Sequence, residues 1–413
     1  MKKRWVLAAL AFFLAAGVPA GAADSGVTVT VRDGYACDYG VNIPFTRSSG
    51  TVDYTFSLFE GTYPSGAPEV TAAVEVTPTS PVNVYLPLRY DPAGPSTWTL
   101  KVTAHAAPGR AAFDREATAV KTFTTTPTCG CPAGTAGAYY AGDGSVQNPF
   151  RVSAREQLDH VESHLSASFL QVNDIDCGGS FASVSNFRGT YDGGWHRIRG
   201  LNEPVFAQLT GATVQRLGIE DSTALFSPYR ETQGRNSGAL ASTLDGSIIR
   251  DCYALNCSVS GYQAGGLVGW FNSSTIERCY ALGVEAVSCG YPGGLVSRSD
   301  GRLQITDCYA VPASLASTEF GTSALFGETT GGAVALSKSY WCTSAVSNGV
   351  GEAFRGGSIS VDSYSKGYPL EGFSSLGNLN GFDEANWTIR SMAVNTASGS
   401  VTAGVPVLRK FYE

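Results

Sequence analysis

Two histidines stand four residues apart in His160-Val161-Glu162-Ser163-His164. On a helix this spacing puts both imidazoles on one face, where they can bind zinc. The order is not that of a zinc peptidase, in which glutamate directly follows the first histidine, and no third ligand stands out. The pair therefore reads as the solvated face of a helix, and no metal is expected. Asp174, Asp176 and Asp192 could form a carboxylate set of the kind that cleaves polysaccharides, because glycosidic hydrolysis needs two carboxyl groups at a defined separation. Each lies in a Gly- or Asn-rich turn phrase, however, and Asp side chains hydrogen-bond nearby backbone N–H groups in such turns. Asp143-Gly144 and Asp192-Gly193 read as turns, since no Asp-x-Asp-x-Asp-Gly calcium loop is present. Cys129-Gly130-Cys131 reads as disulfide-forming or thiol, not redox-active. No Gly-x-Ser-x-Gly phrase occurs, and the chain holds 4 histidines in all. No catalytic set, cofactor or metal is expected.

The elements that must position any such residues announce themselves as a returning phrase. It reads Ile249-Arg250-Asp251-Cys252-Tyr253-Ala254, then Ile276-Glu277-Arg278-Cys279-Tyr280-Ala281, then Ile305-Thr306-Asp307-Cys308-Tyr309-Ala310, with a degraded copy at Leu336 to Trp341. Val214 to Ile219 is one coil earlier. The cysteine position recurs at steps of 27, 29 and 31 residues, a period that marks a solenoid. A second phrase precedes each copy: Gly238-Ala239-Leu240-Ala241, Gly266-Leu267-Val268-Gly269, Gly294-Leu295-Val296-Ser297 and Ala324-Leu325-Phe326-Gly327. Each coil thus carries at least two short strands. Alternate strand residues point to opposite faces. Ile249, Cys252 and Ala254 are therefore placed inward, with Cys252, Cys279 and Cys308 in one internal ladder. Tyr253, Tyr280 and Tyr309, with Tyr340 as a further candidate, form an external ladder. Exposed stacked aromatics can bind a partner, although stacking also stabilises a sheet by itself. These three tyrosines are the candidate binding residues.

Around the repeats, residues 1–23 read as an export signal. Met1-Lys2-Lys3-Arg4 precedes a short apolar run from Val6 to Val18, and Ala20-Gly21-Ala22 supplies a cleavage site. The run is too short for a membrane span. Losing the three basic residues takes the formal charge from −7 to −10, so a nucleic-acid partner is not expected. Residues 24–126 show period-2 runs (Val27 to Val31, Tyr54 to Phe59, Val74 to Val76, Trp98 to Val102) broken by turn residues, the pattern of an immunoglobulin-like β-sandwich. A linker is expected over 127–138. From 139 to 345 runs the solenoid. Ser153-Ala154-Arg155-Glu156 has the spacing of a capping box and opens a helix over 154–166 that covers the solenoid's end. Residues 346–413 fall out of register and read as the C-terminal cap, with a short helix near Leu376 and final strands at Trp387 and Val405.

Gly266-Leu267-Val268-Gly269 resembles the Gly-Leu-apolar-Gly phrase of the GLUG-motif repeat proteins. The preceding series is similar too: Asn148-Pro149-Phe150, Ser153 to Leu158, Asp174-Ile175-Asp176, and Gly189-Thr190-Tyr191-Asp192-Gly193. Ala239, Ala241 and Ser297 depart from it by replacing glycines. The resemblance implies an all-β fold with a right-handed parallel β-helix, on exported bacterial proteins that are often adhesin-like. Similar repeats accompany some IgA-cleaving metallopeptidases, whose His-Glu-x-x-His motif is absent here. The expected protein is an extracellular or cell-envelope binder of a protein or glycan, not an enzyme. The alternatives are a polysaccharide-active β-helix enzyme and a passive stalk.

Overall fold

The structure is a computed structural model. It describes 134–226 and 235–413 throughout, and between 35 and 132 the strands and some of their connections. The expected export signal, the strand at Val27 to Val31 and the side chain of Cys37 lie outside the described residues. The chain divides into two compact units, Met1–Arg151 and Val152–Glu413.

In the first unit, Tyr35–Cys37, Gly40–Phe45 and Val82–Pro87 form one antiparallel sheet. Val70–Glu75, Thr51–Glu60, Thr97–Ala106 and Ala117–Thr124 form another. Alternation fixes the buried face: Tyr54, Phe56 and Leu58 on one strand and Trp98, Leu100 and Val102 on its neighbour are all removed from solvent.

The second unit is a parallel β-solenoid of about 7 turns. One face stacks Phe206–Thr210, Ala241–Asp245, Val268–Asn272, Val296–Ser299, Phe326–Thr330 and Val350–Phe354. The remaining strands of each coil, such as Ile248–Arg250, Tyr253–Leu255 and Ser258–Gly261, stack on their counterparts in a second parallel array. Leu240, Leu267, Leu295 and Leu325 make one interior column; Val214, Ile249, Ile276 and Ile305 make another, all fully buried. No coil can bury these side chains alone, so each depends on its neighbours.

The returning phrase turns a corner, and its chemistry is regular. Asp251, Arg278, Asp307 and Lys338, each directly before the inward Cys or Ser, adopt positive φ of 48–55°, as does Arg216 (56°) one coil earlier. That conformation disfavours L side chains, yet no glycine is used. Read down the stack, this column is Arg216, Asp251, Arg278, Asp307, Lys338: the charges alternate. Arg278 Nε donates to Asp251 Oδ1 at 2.6 Å. The alternation keeps every step of the stack free of a like-charge neighbour.

Beneath that corner lies the expected cysteine ladder. Cys252, Cys279 and Cys308 are completely buried, and Ser339 continues the column. The small polar atom has a specific job. The Cys252 N–H donates to Cys279 Sγ (3.4 Å), the Cys279 N–H to Cys308 Sγ (3.3 Å), and the Cys308 N–H to Ser339 Oγ (3.3 Å). A corner amide has no strand partner, so a side-chain acceptor from the next coil replaces one. Burial pushes the Cys252 and Cys308 thiols well up, which makes them inert. Cys279→Ser is therefore expected to cost less than about 1 kcal/mol, whereas Cys279→Val leaves the Cys252 amide unpaired and costs about 1–3 kcal/mol. Urea unfolding of both variants checks this, and a thiol reagent should reach the three cysteines only after denaturation.

Four expectations need correction. The helix is shorter than 154–166: an α-turn at Arg155–Asp159 runs into a 3-10 turn at His160–His164. The capping box does not form, because Gln157, not Glu156, turns inward; its Oε1 accepts both the Ser153 N–H (2.8 Å) and hydroxyl (2.9 Å). Register also places Val268 beside Ala241 and Trp270 beside Thr243, so Ser242, not Ala241, stands opposite Gly269. Finally, parallel register does not end near 345. Val350–Phe354, Ser358–Val361 and Lys366–Tyr368 add another coil. Only then come the 3-10 turns Leu370–Ser374 and Leu376–Asn378 and the hairpin of Trp387–Thr396 with Gly399–Leu408.

Candidate functional site: a groove on the outer face of the solenoid

The tyrosine ladder exists, but it is not a surface. The Tyr253 and Tyr280 rings stack at 4.8 Å and 2°, and those of Tyr280 and Tyr309 at 5.1 Å and 12°. Each of the three, and Tyr340, has zero exposure. The C-terminal segment folds back over them. Phe411 packs edge-on against Tyr253 at 4.8 Å, Trp387 lies against both Tyr280 and Tyr309, and Phe373 meets Tyr309. The Tyr309 hydroxyl donates to the Pro406 carbonyl and that of Tyr340 to the Asn380 carbonyl. The rings point out of the coil, as strand alternation requires, and the last 40 or so residues use them as a second core. Local periodicity could not show this, because the covering segment is distant in sequence.

The carboxylates picked out by spacing hold turns and ion pairs. Asp192 accepts the Gly194 N–H (3.0 Å), Gln215 Nε2 (2.8 Å) and Arg216 Nε (2.8 Å). Asp174 accepts the Arg197 N–H at 3.0 Å and faces His196 Nδ1 at 3.3 Å; Asp176 accepts the Gly178 N–H at 2.9 Å. In the first unit the Asp143 carboxylate accepts the Ser145 N–H at 3.0 Å, and contacts to Ser145 hold its pKa down.

His160 and His164 do not form a solvated face. His160 is buried, the ring centroids are 5.1 Å apart, and burial lowers both pKa values, so both imidazoles are neutral at physiological pH. Their ligand nitrogens lie within 4.8 Å of each other. In the first unit, the Cys129 and Cys131 sulfurs also lie within 4.8 Å of each other, both half-buried thiols. Burial, with Cys129 beside it, pushes Cys131 up. Neutral imidazoles and thiols are donor types that zinc takes, and each pair alone is two donors short of a closed tetrahedral set.

A different constellation appears on the outer side of the six-stranded face. The outward column reads Thr243, Trp270, Arg298, Glu328 and Glu352, each hydrogen-bonded neighbour to the next. A groove of about 530 Å³ lies over its first half. It is lined by Ser183, Ala207, Ser242, Thr243, Trp270, Arg298 and Asp300, with Phe226, Arg235, Asn236, Tyr262 and Gln263. Arg298 is fixed from two sides. Its Nε and Nη2 donate to the Asp300 carboxylate at 2.7 and 3.2 Å, and Nη1 lies 3.5 Å from Glu328 Oε1. Gln263 is oriented by its neighbours: its Oε1 accepts the Ser297 hydroxyl (2.9 Å), and its Nε2 donates to Glu328 (3.3 Å). Arg235 lies 5.3 Å from the Phe226 ring. The site therefore presents one half-buried indole among preorganised amide, guanidinium and carboxylate groups.

Glu328 sits at the base of this network. Burial raises its carboxyl pKa; Arg298 and Gln263 oppose the shift and Asp300 and Glu352 add to it. A carboxyl raised on folding contributes most stability below its unfolded value and loses it as pH rises through the folded value. Glu328→Gln removes that loss. The stability of the variant relative to the parent should therefore rise between about pH 4 and pH 7, read from urea midpoints across that range.

None of the groove residues was singled out from spacing. A signal existed: the residue immediately after the Gly/Ala-Leu-apolar-Gly/Ser phrases that begin at Gly266, Gly294 and Ala324 is Trp270, Arg298 or Glu328, a variable large polar or aromatic side chain following a near-constant frame. No helix among the described residues is long and apolar enough to cross a membrane. No protein-family model matches the chain, and no curated protein matches it.

Proposed function

We propose that this chain is an exported, non-catalytic glycan-binding protein that holds its ligand in the groove at Trp270 and Arg298. The observation that carries the reading is the outward column itself. Sugar rings offer an apolar C–H face and a rim of hydroxyls. They suit an indole flanked by fixed planar hydrogen-bonding groups. A protein-binding patch would have a broader apolar centre with fewer charged groups in it. The solenoid supplies rigidity, so the groove is formed before the ligand arrives.

The finer architecture belongs to the same proposal. The two antiparallel sheets of the first unit support an immunoglobulin-like sandwich. The ordered phrases support membership of the GLUG-motif repeat proteins and a right-handed coil. The turns at 155–164, which bury Gln157, Leu158, His160 and Val161, support a cover for the solenoid's first coil. The basic, apolar, small-residue start supports export to the bacterial envelope or medium, and with it an adhesive role.

The test is a glycan array probed with residues 24–413, beside a panel of host proteins. Retention by neutral glycans is expected. Retention by host proteins alone would overturn the glycan reading, and retention by neither would favour a passive stalk. One observation favours an enzyme instead: Asp300 and Glu328 flank Arg298, burial raises the Glu328 carboxyl, and glycosidic cleavage uses a pair of carboxyl groups. Recovery of the bound oligosaccharide intact after prolonged incubation is expected; new reducing ends would establish the enzyme.

A further inference from the structure

The outward column does not stop where the deepest part of the groove does. Beyond Arg298 it continues through Glu328 to Glu352, and there a second aromatic platform stands beside it. Tyr291 and Phe320 stack at 5.1 Å and 21°, Phe354 lies 5.6 Å from Tyr291, and the Tyr291 hydroxyl is 3.4 Å from Glu352 Oε2. Phe320 is 53% exposed. These rings fill no interior column; the core of those coils is Leu295, Val296, Leu325 and Phe326. The edge beside the column is stacked as well: Ser237 bridges Ala264, and Gly265, Gly293 and Ser323 bridge one another in parallel register, with Gln263 and Tyr291 two residues before Gly265 and Gly293.

We infer that the groove takes an extended neutral oligosaccharide running across the strands, along the stacking direction, with Trp270 at one end and the Tyr291–Phe320 pair as a second subsite at the other. This rests on the glycan reading above. From Trp270 to Glu352 is three strand spacings, about 14 Å. A pyranose ring in an extended chain advances by close to one such spacing, so neighbouring coils meet successive rings. Charge selects the class. Asp300, Glu328 and Glu352 lie along the path, Arg298 is already paired with the first two, and Arg235 stands at the Trp270 end, so a polyanionic chain would be repelled at its far end.

The experiment is calorimetric titration of residues 24–413 with neutral linear disaccharides and hexasaccharides (cello-, xylo-, manno- and chito-series) and with a sulfated hexasaccharide. The neutral hexasaccharide of at least one series should bind about ten-fold more tightly than its disaccharide. Phe320→Ala, at an exposed position and checked by thermal melting, should reduce the hexasaccharide to the disaccharide's affinity and leave the disaccharide unchanged. Equal affinity for both lengths, no effect of Phe320→Ala on the hexasaccharide, or preference for the sulfated chain would each overturn the inference while leaving a glycan site at Trp270. Failure of every oligosaccharide to bind would instead overturn the reading beneath it.

Discussion

Alanine at Tyr280 is expected to destabilise the solenoid unit by about 3–5 kcal/mol, the range for truncating a large buried aromatic. The ring is sandwiched between Tyr253 and Tyr309 and covered by Trp387. Its loss removes contacts on three sides, and the stacked backbone cannot collapse to fill the space. The effect should concentrate in the C-terminal segment, because that segment's core is the tyrosine column. Limited proteolysis should then cut near the Trp387–Thr396 and Gly399–Leu408 hairpin in the variant and not in the parent. Trp387→Ala, which removes the covering ring instead, should give the same pattern. An exposed ladder would behave otherwise: truncating one ring there would cost about 1 kcal/mol or less and leave the protease pattern unchanged.

Alanine at Trp270 should abolish about 90% or more of the affinity for the neutral oligosaccharide, a loss of at least ten-fold, while changing stability little. Trp270 is half-buried on the outer side of its strand, and its inward neighbours Val268 and Phe271 keep the core intact. The indole lines the groove together with Phe226 and Tyr262, and of the three it alone belongs to the outward column. Arg298→Ala removes a hydrogen-bonding group but also takes the cationic partner from Asp300 and Glu328, so its effect on binding mixes with an effect on local structure. Trp270→Ala is the cleaner probe, and Trp270→Phe should recover part of the affinity because an aromatic face is retained.

How much of this was legible in the sequence follows from the range of each cue. The coil period, the inward Ile, Cys and Ala positions and the outward direction of Tyr253 are local, because strand alternation acts over two residues. The acceptor role of the cysteines was not legible, since it joins an amide in one coil to a sulfur in the next. The burial of the tyrosines was not legible either: Tyr253 meets Phe411, more than 150 positions away in the chain. The chemistry first suspected, at Asp174, Asp192 and the histidine pair, stood out because those residues are close in sequence. The outward column at the groove takes one residue from each coil, as in Thr243, Trp270 and Arg298, and only stacking makes them neighbours. In a solenoid, functional residues are spaced by the coil length, so short-range motif spacing passes over them.

The claim that the tyrosine column is core and the groove is the binding surface is tested most directly by amide hydrogen exchange, with and without a saturating neutral hexasaccharide. The account predicts ligand-dependent protection confined to the groove segments, 235–243, 262–270 and 290–300, with no change over 253–255, 280–282 and 387–408. Protection over the tyrosine strands and the C-terminal hairpin, with none in the groove, would contradict it.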